Sequence, residues 1–154
     1  MSGKGHSAGR LTAAAAIGIP VVAAPGCMDF IWDGPDKKER FRGRKQLRFN
    51  EGVLLGKVKE EEIKRAGALM AERLNQSVGP VTVILPLQGI SMFDRPGGEL
   101  YDPELDAALF TKLRHNLVQR IKVLEVDAHI NDEVFARTCV GELCDMLGRV
   151  PSRT

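Results

Sequence analysis

Gly79-Pro80 is followed by Val81-Thr82-Val83-Ile84-Leu85, and this run restricts the fold more than any other segment of the chain. β-Branched residues favour an extended backbone, and a strand with no polar alternation is buried on both faces. The run therefore predicts a central strand, in a sheet covered on each side by helices. Its neighbours in sequence agree. Before it, Glu60–Asn75 places Ile63, Ala66, Met70 and Leu74 at spacings of three and four, which predicts an amphipathic helix. After it, Asp102 and Pro103 form a helix start, a capping carboxylate followed by proline at the first helical position. Leu105, Leu109, Leu113 and Leu117 give that helix an apolar stripe.

The remaining elements follow from local signals. Arg10–Ile17 reads as a short Ala-rich helix stopped by Gly18, and Val21–Ala24 as a short buried strand broken by Pro25-Gly26. Ile121–Val126 reads as a third strand. A last helix is expected after Asn131 as its cap, with Asp132 and Glu133 near the positive end of the helix dipole and Gly148 at its end. Val134, Cys139, Leu143 and Leu147 form the inner face expected for it. Asp33–Arg44, with its glycines, proline and mixed charges, predicts an exposed loop, and Leu47–Phe49 a brief strand. Pro86–Glu99 holds two prolines and three glycines, which predicts a loop crossing the sheet's carboxyl edge.

Strands that alternate with helices of this length need crossover connections. The expected fold is an open, mainly parallel sheet with helices on both faces, a Rossmann-like three-layer α/β sandwich. Residues 1–9 read as a flexible or Gly-rich lead, 10–148 as one α/β domain and 149–154 as a tail. A helix feeding a buried strand so early in the chain suggests that this domain is the second half of a two-domain protein.

Composition narrows the function classes. In 154 residues, 44% hydrophobic content is enough for one core without disulfides or metal. Twenty-two Lys and Arg against 20 Asp and Glu leave a net charge of +2, so no broad electropositive surface is expected and nucleic acid is not an expected partner. Cys27, Cys139 and Cys144 show neither CxxC nor zinc spacing, which fits reduced thiols and a cytoplasmic setting. No apolar run approaches the roughly 20 residues needed to span a bilayer. The Ala-rich stretch Leu11–Ala24 is broken by Gly18 and Pro20, and reads as helix, stop and strand rather than as a signal peptide.

In an open parallel sheet the ligand crevice lies beyond the carboxyl ends of the strands. Three segments lie there: Pro25-Gly26-Cys27-Met28-Asp29, Leu85–Ser91 and Asp127–Asp132. Asp127 and His129 are two apart at a strand end, a spacing suited to a carboxylate orienting an imidazole acid/base; alternatively Asp127 caps a turn and His129 is packed and hydrogen-bonded. Asp29 is a candidate for a ribose hydroxyl or a metal, or else a turn-stabilising carboxylate. Gln88, Gly89, Ser91 and Asp94 lie in a glycine-bearing loop whose amides suit an anion, although neither a P-loop lysine nor a GxSxG elbow is present. Asn131 is a further ligand candidate beside its capping role. Ser7 and Arg10 belong to a Gly-rich approach to the first helix, a context that favours phosphate. No metal centre is expected. Trp32, beside Phe30 and Ile31, reads as a buried cluster or as an exposed contact patch.

The order of these motifs is familiar as a set. Gly18-Ile19-Pro20, Pro25-Gly26 and Asp29, the run Glu39–Arg44, Gly79–Ser91, Tyr101-Asp102-Pro103-Glu104 and Asp127–Asp132 together resemble the carboxyl-terminal half of the Tm-one-like ATP-binding protein family. The likeness extends from about Gly9 to Leu147. It implies a two-domain α/β protein whose nucleotide contacts come chiefly from the first domain, with ATP as the cofactor of the full-length protein. The family's plant member binds ATP and blocks viral RNA replication by engaging a replication protein. One departure stands out: the family's Asn-Phe-Gly after the Asp29 position is here Trp32-Asp33-Gly34.

The leading functional expectation is a ligand-binding domain that completes an interdomain cleft for a nucleotide or other phosphorylated small molecule. Its expected partners are that ligand, the N-terminal domain of the same protein and a second copy of the chain. The alternatives are a hydrolase or lyase using His129 and Asp127, and a protein-interaction module using Trp32 and the basic segment Lys37–Arg44.

Overall fold

The computed structural model describes residues 10–148. In chain order its elements are α1 (Thr12–Ile17), β1 (Val21–Ala23), β2 (Phe30–Asp33), β3 (Gln46–Arg48), β4 (Leu54–Lys57), α2 (Glu60–Asn75), β5 (Val81–Pro86), α3 (Pro103–Asn116), β6 (Lys122–Val126) and α4 (Glu133–Gly148). A 3-10 turn, Pro35–Phe41, joins β2 to β3.

The main sheet is parallel, in the order β1-β5-β6, with Val83 beside both Ala23 and Val123. β5 is central and buried along its whole length, as its unbroken apolar run requires. Side chains alternate across it. Val81, Val83 and Leu85 join the larger core, which is closed by Ile63, Met70 and Leu74 of α2 and by Leu105, Leu109 and Leu113 of α3. Gly67 lets the two helices approach, since a Cβ there would stand 2.8 Å from a methyl of Leu109. Ile84 faces the other way, into a smaller cluster with Ala128 and Phe135 of α4. Helices thus cover both faces of an open parallel sheet, the three-layer arrangement expected.

α4 packs on a different line of residues from the one its apolar pattern predicts. Val134 and Leu147 are 55% and 54% exposed, Leu143 is exposed too, and the buried residues are Phe135 and Met146. The inward line runs Phe135, Cys139, Glu142, Met146. It carries a carboxylate because Thr82, buried near the start of β5, donates its hydroxyl to Glu142 Oε2 at 3.4 Å, and Lys122 holds Glu142 Oε1 at 2.7 Å. Of the four residues expected on the inner face, only Cys139 lies on it. The cap also shifts by one residue: Asp132, not Asn131, takes the Ala136 amide on its carbonyl and the His129 amide on its carboxylate.

A second, smaller sheet was not expected. β2, β4 and β3 pair antiparallel in that order, with Trp32 and Leu47 both opposite Leu55. The brief strand expected at Leu47–Phe49 belongs to it, one residue earlier. The segment Asp33–Arg44, read as an exposed loop, contains Phe41, which is fully buried over Gly56; a Cβ at Gly56 would lie 2.3 Å from the Phe41 ring. Arg44 at the end of that charged run is a clamp. Its guanidinium forks onto Glu62 of α2 at 2.5 and 2.7 Å, and this contact holds the Glu62 carboxyl down at about 2.

Candidate functional site

Three parallel strands end on one edge, so the loops after β1, β5 and β6 have to meet there, and main-chain hydrogen bonds join them in strand order. Cys27 donates to the Ile90 carbonyl (2.9 Å), Ile130 to Gly89 (3.1 Å) and Gln88 to Ala128 (3.1 Å). Gly89 makes the closeness possible. Its φ is +117°, and a Cβ would fall 1.7 Å from the Asp94 carbonyl oxygen and 3.0 Å from the His129 ring.

Inside this junction lies a buried polar cluster. The Ser91 hydroxyl donates to Asp29 Oδ2 at 2.8 Å, and the Ser91 carbonyl lies 2.8 Å from His129 Nε2. Asp29 and His129, from the two outer loops, therefore meet on one residue of the middle loop. A carbonyl only accepts, so His129 carries its proton on Nε2 and offers Nδ1 as acceptor. Nδ1 takes the Asn131 amide at 3.2 Å and faces Arg95 Nη2 at 3.4 Å. Both ring nitrogens are engaged, and His129 is 5% exposed. Asp127 does not orient it: Asp127 is exposed and accepts from Gln88 Nε2 at 2.6 Å.

The charged members of the cluster tie down the long loop after β5. Asp94, fully buried, accepts the Ile90 amide at 3.0 Å and the Asp102 amide at 3.1 Å, pinning the loop at both ends. Lys57 of β4 donates to the Leu100 carbonyl and stands 3.9 Å from Asp94 Oδ1. Asp106 of α3 is pushed up to about 8, first by burial and then by its hydrogen bond to Asp94, so at neutral pH it is a proton donor to that carboxylate. Burial also raises Asp29, against the lowering effect of the Ser91 hydroxyl. Among the described residues no group of three or more His, Cys, Asp or Glu is arranged to hold a metal ion, and no helix is long and apolar enough to cross a membrane.

The sequence-derived candidates divide accordingly. Asp29, Gly89, Ser91 and His129 are buried in the junction; Gln88, Asp127 and Asn131 form its exposed rim; Arg10 is exposed by α1, with its carbonyl 3.5 Å from Arg73 Nη1. Ser7 lies outside the described residues.

An open cleft of about 470 Å³ lies on the outer side of the same loop, and sequence reasoning missed it. It is bounded by Arg48 and Phe49 at the end of β3 and by Phe93, Arg95, Gly97 and Gly98. Neither arginine belongs to a salt bridge among the described residues, whereas Arg40, Arg42, Arg44, Arg114 and Arg137 all do. Glu99 also lines the cleft, leaving its side chains with a net positive charge. The available signal was Arg95-Pro96-Gly97-Gly98, a cation followed by small residues in a loop at the sheet's carboxyl edge. Trp32, read as part of a buried cluster or of an exposed patch, is 68% exposed.

A family model described as the C-terminal domain of the uncharacterised protein family UPF0261 matches residues 3–147. The chain is 34% identical over 141 residues to a UPF0261 protein of Clostridium tetani, covering 90% of this chain and 35% of that protein. A UPF0261 protein of Rhizobium meliloti is 33% identical over 141 residues, 89% of this chain and 35% of the relative. The ToMV resistance protein Tm-1(GCR237) of Solanum lycopersicum is 35% identical over 132 residues, 83% of this chain and 18% of that protein. The chain thus spans 35% of the length of these bacterial relatives. On the strength of the matched residues and these identities, the chain belongs to the UPF0261 family and corresponds to its C-terminal domain.

Proposed function

We propose that this chain is a ligand-binding domain, one wall of an interdomain cleft for a phosphorylated small molecule, nucleotides included. The observation that carries the reading is the pair Arg48 and Arg95, two guanidiniums without a carboxylate partner facing one open cleft beside Gly97 and Gly98. Guanidinium presents a fork of donors that matches phosphate oxygens, and glycines let a ligand approach the backbone closely. The polar junction behind the cleft supports the reading in a different way. An acid/base needs a proton-exchanging atom that reaches substrate, and both ring nitrogens of His129 face protein groups. The junction is a support that holds Arg95 and the glycine run at a fixed place on the sheet edge.

A single wall binds weakly. Titration of the isotope-labelled chain with ATP, followed by amide chemical shifts, is expected to give saturable shifts at Phe49, Arg95, Gly97 and Gly98. The dissociation constant should be about 1 mM, equivalent to about −4 kcal/mol. Saturable shifts centred instead on the rim residues Gln88, Asp127 and Asn131, or none at the arginine cleft, would contradict the assignment.

A further inference from the structure

The arginine cleft does not end at Phe49 and Phe93. Those two rings and Met92 also border a second hollow, of about 370 Å³, on the face of the small sheet. Its other walls are apolar side chains only, Phe30, Trp32 and Val53 among them. Phe93 stands edge-on to both Phe30 and Phe49, with ring centroids 5.7 Å apart in each case, so the aromatic floor is packed and ordered by its own contacts. The rim is a different matter. Trp32, Met92 and Phe49 are 68%, 57% and 52% exposed, three large apolar side chains gathered at one opening. An exposed group of this kind, joined to a cationic cleft, marks a binding surface.

The two compartments have opposite chemistry and share a wall. One offers two guanidiniums; the other offers a single side-chain N–H donor, the indole of Trp32, among apolar walls. A ligand filling both has an anionic head and a largely apolar body, since most polar atoms on that body would lose their water without gaining a partner.

We propose that the combined cleft takes an organic phosphate bearing an apolar ring, with the phosphate between Arg48 and Arg95 and the ring against Trp32 and Phe49. This rests on the anion-binding reading above and narrows its ligand class: a plain sugar phosphate fills only half of the site.

Trp32 is the chain's single tryptophan, so its fluorescence reports directly on the apolar compartment. The test compares phenyl phosphate with ribose 5-phosphate on wild type, Trp32→Ala and the double variant Arg48→Ala/Arg95→Ala, reading amide shifts throughout and Trp32 emission where the residue is present. Phenyl phosphate is expected to bind at least tenfold more tightly than ribose 5-phosphate and to shift Trp32 emission to shorter wavelength, while ribose 5-phosphate leaves the emission unchanged. Trp32→Ala should remove the tenfold advantage and leave ribose 5-phosphate binding as it was; the arginine variant should weaken both. Equal affinities for the two phosphates, both dependent on the arginines, would overturn the apolar half and leave the anion site standing. Failure of both phosphates to bind wild type would overturn the anion site and this inference with it.

Discussion

The two sides of the loop after β5 both carry charged side chains and present them in opposite ways. On the inner side, Asp29, Lys57, Ser91, Asp94 and His129 are all 8% exposed or less, and they hydrogen-bond to one another or to the backbone. On the outer side, Arg48 and Arg95 stand at an open cleft with exposed aromatic neighbours. Buried polar groups need partners, and a network that supplies them fixes a structure. Arg48 and Arg95 have no carboxylate partner among the described residues, although Arg95 Nη2 faces His129 Nδ1, and this leaves their charge open to an anion. Under the function proposed here, stability belongs to the inner side and recognition to the outer one.

That division is easiest to break at Gly89. Any side chain there meets the Asp94 carbonyl and requires a left-handed backbone, so Gly89→Ala is expected to destabilise the domain by about 3–5 kcal/mol, among the largest single-residue effects. Urea denaturation measures it; a loss under about 1 kcal/mol would mean that the loop relaxes freely and the junction is not tightly built. His129→Gln should cost roughly 1–3 kcal/mol, since a buried imidazole with both nitrogens engaged is replaced by a side chain of different reach. An unchanged denaturation midpoint would remove His129 from the structural side of the comparison.

Asp106 sharpens the same contrast through pH. Burial and Asp94 push its folded-state carboxyl up to about 8 from the ordinary value of 3.8 that it has unfolded, so between these values the folded state holds a proton that the unfolded state lacks. Stability from this group is full below the lower value and falls as pH rises toward 8. Asp106→Asn keeps a donor for Asp94 without a titrating proton, and should flatten that part of the stability profile. An unaltered slope between pH 4 and 8 would show that Asp106 does not hold its proton. The smallest effects are expected outside: Arg48→Ala should change stability by no more than about 0.5 kcal/mol, as surface positions do, and Arg95→Ala, which gives up the contact with His129 Nδ1, by no more than about 1 kcal/mol.

The sequence made one side of this contrast more legible than the other. Val81–Leu85, the Glu60–Asn75 helix and the Asp102-Pro103 helix start carry their information locally, in β-branching, periodicity and capping, and the structure has them at or within one residue of the expected limits. Convergence of the Asp29, Ser91 and His129 loops followed from parallel topology. The small sheet was hidden because β2 and β4 depend on partners distant in sequence and on Gly56 lying under Phe41. The inner face of α4 was misread because Glu142 occupies a place where the apolar pattern leaves no room for a charge, and only the Thr82 hydroxyl and Lys122, both distant in sequence, explain it. The arginine cleft combines the end of β3 with the loop after β5, so no single stretch of sequence contains it.

The most direct test sets the two sides against each other in one experiment: the dissociation constant for ATP measured in parallel for wild type, Arg48→Ala/Arg95→Ala and His129→Gln, under conditions where all three are folded. The account predicts a loss of at least tenfold for the arginine variant and a smaller one, under about threefold, for His129→Gln, which gives up only the contact between His129 Nδ1 and Arg95. Undiminished binding by the arginine variant together with lost binding by His129→Gln would contradict it, and would move recognition to the inner side of the loop.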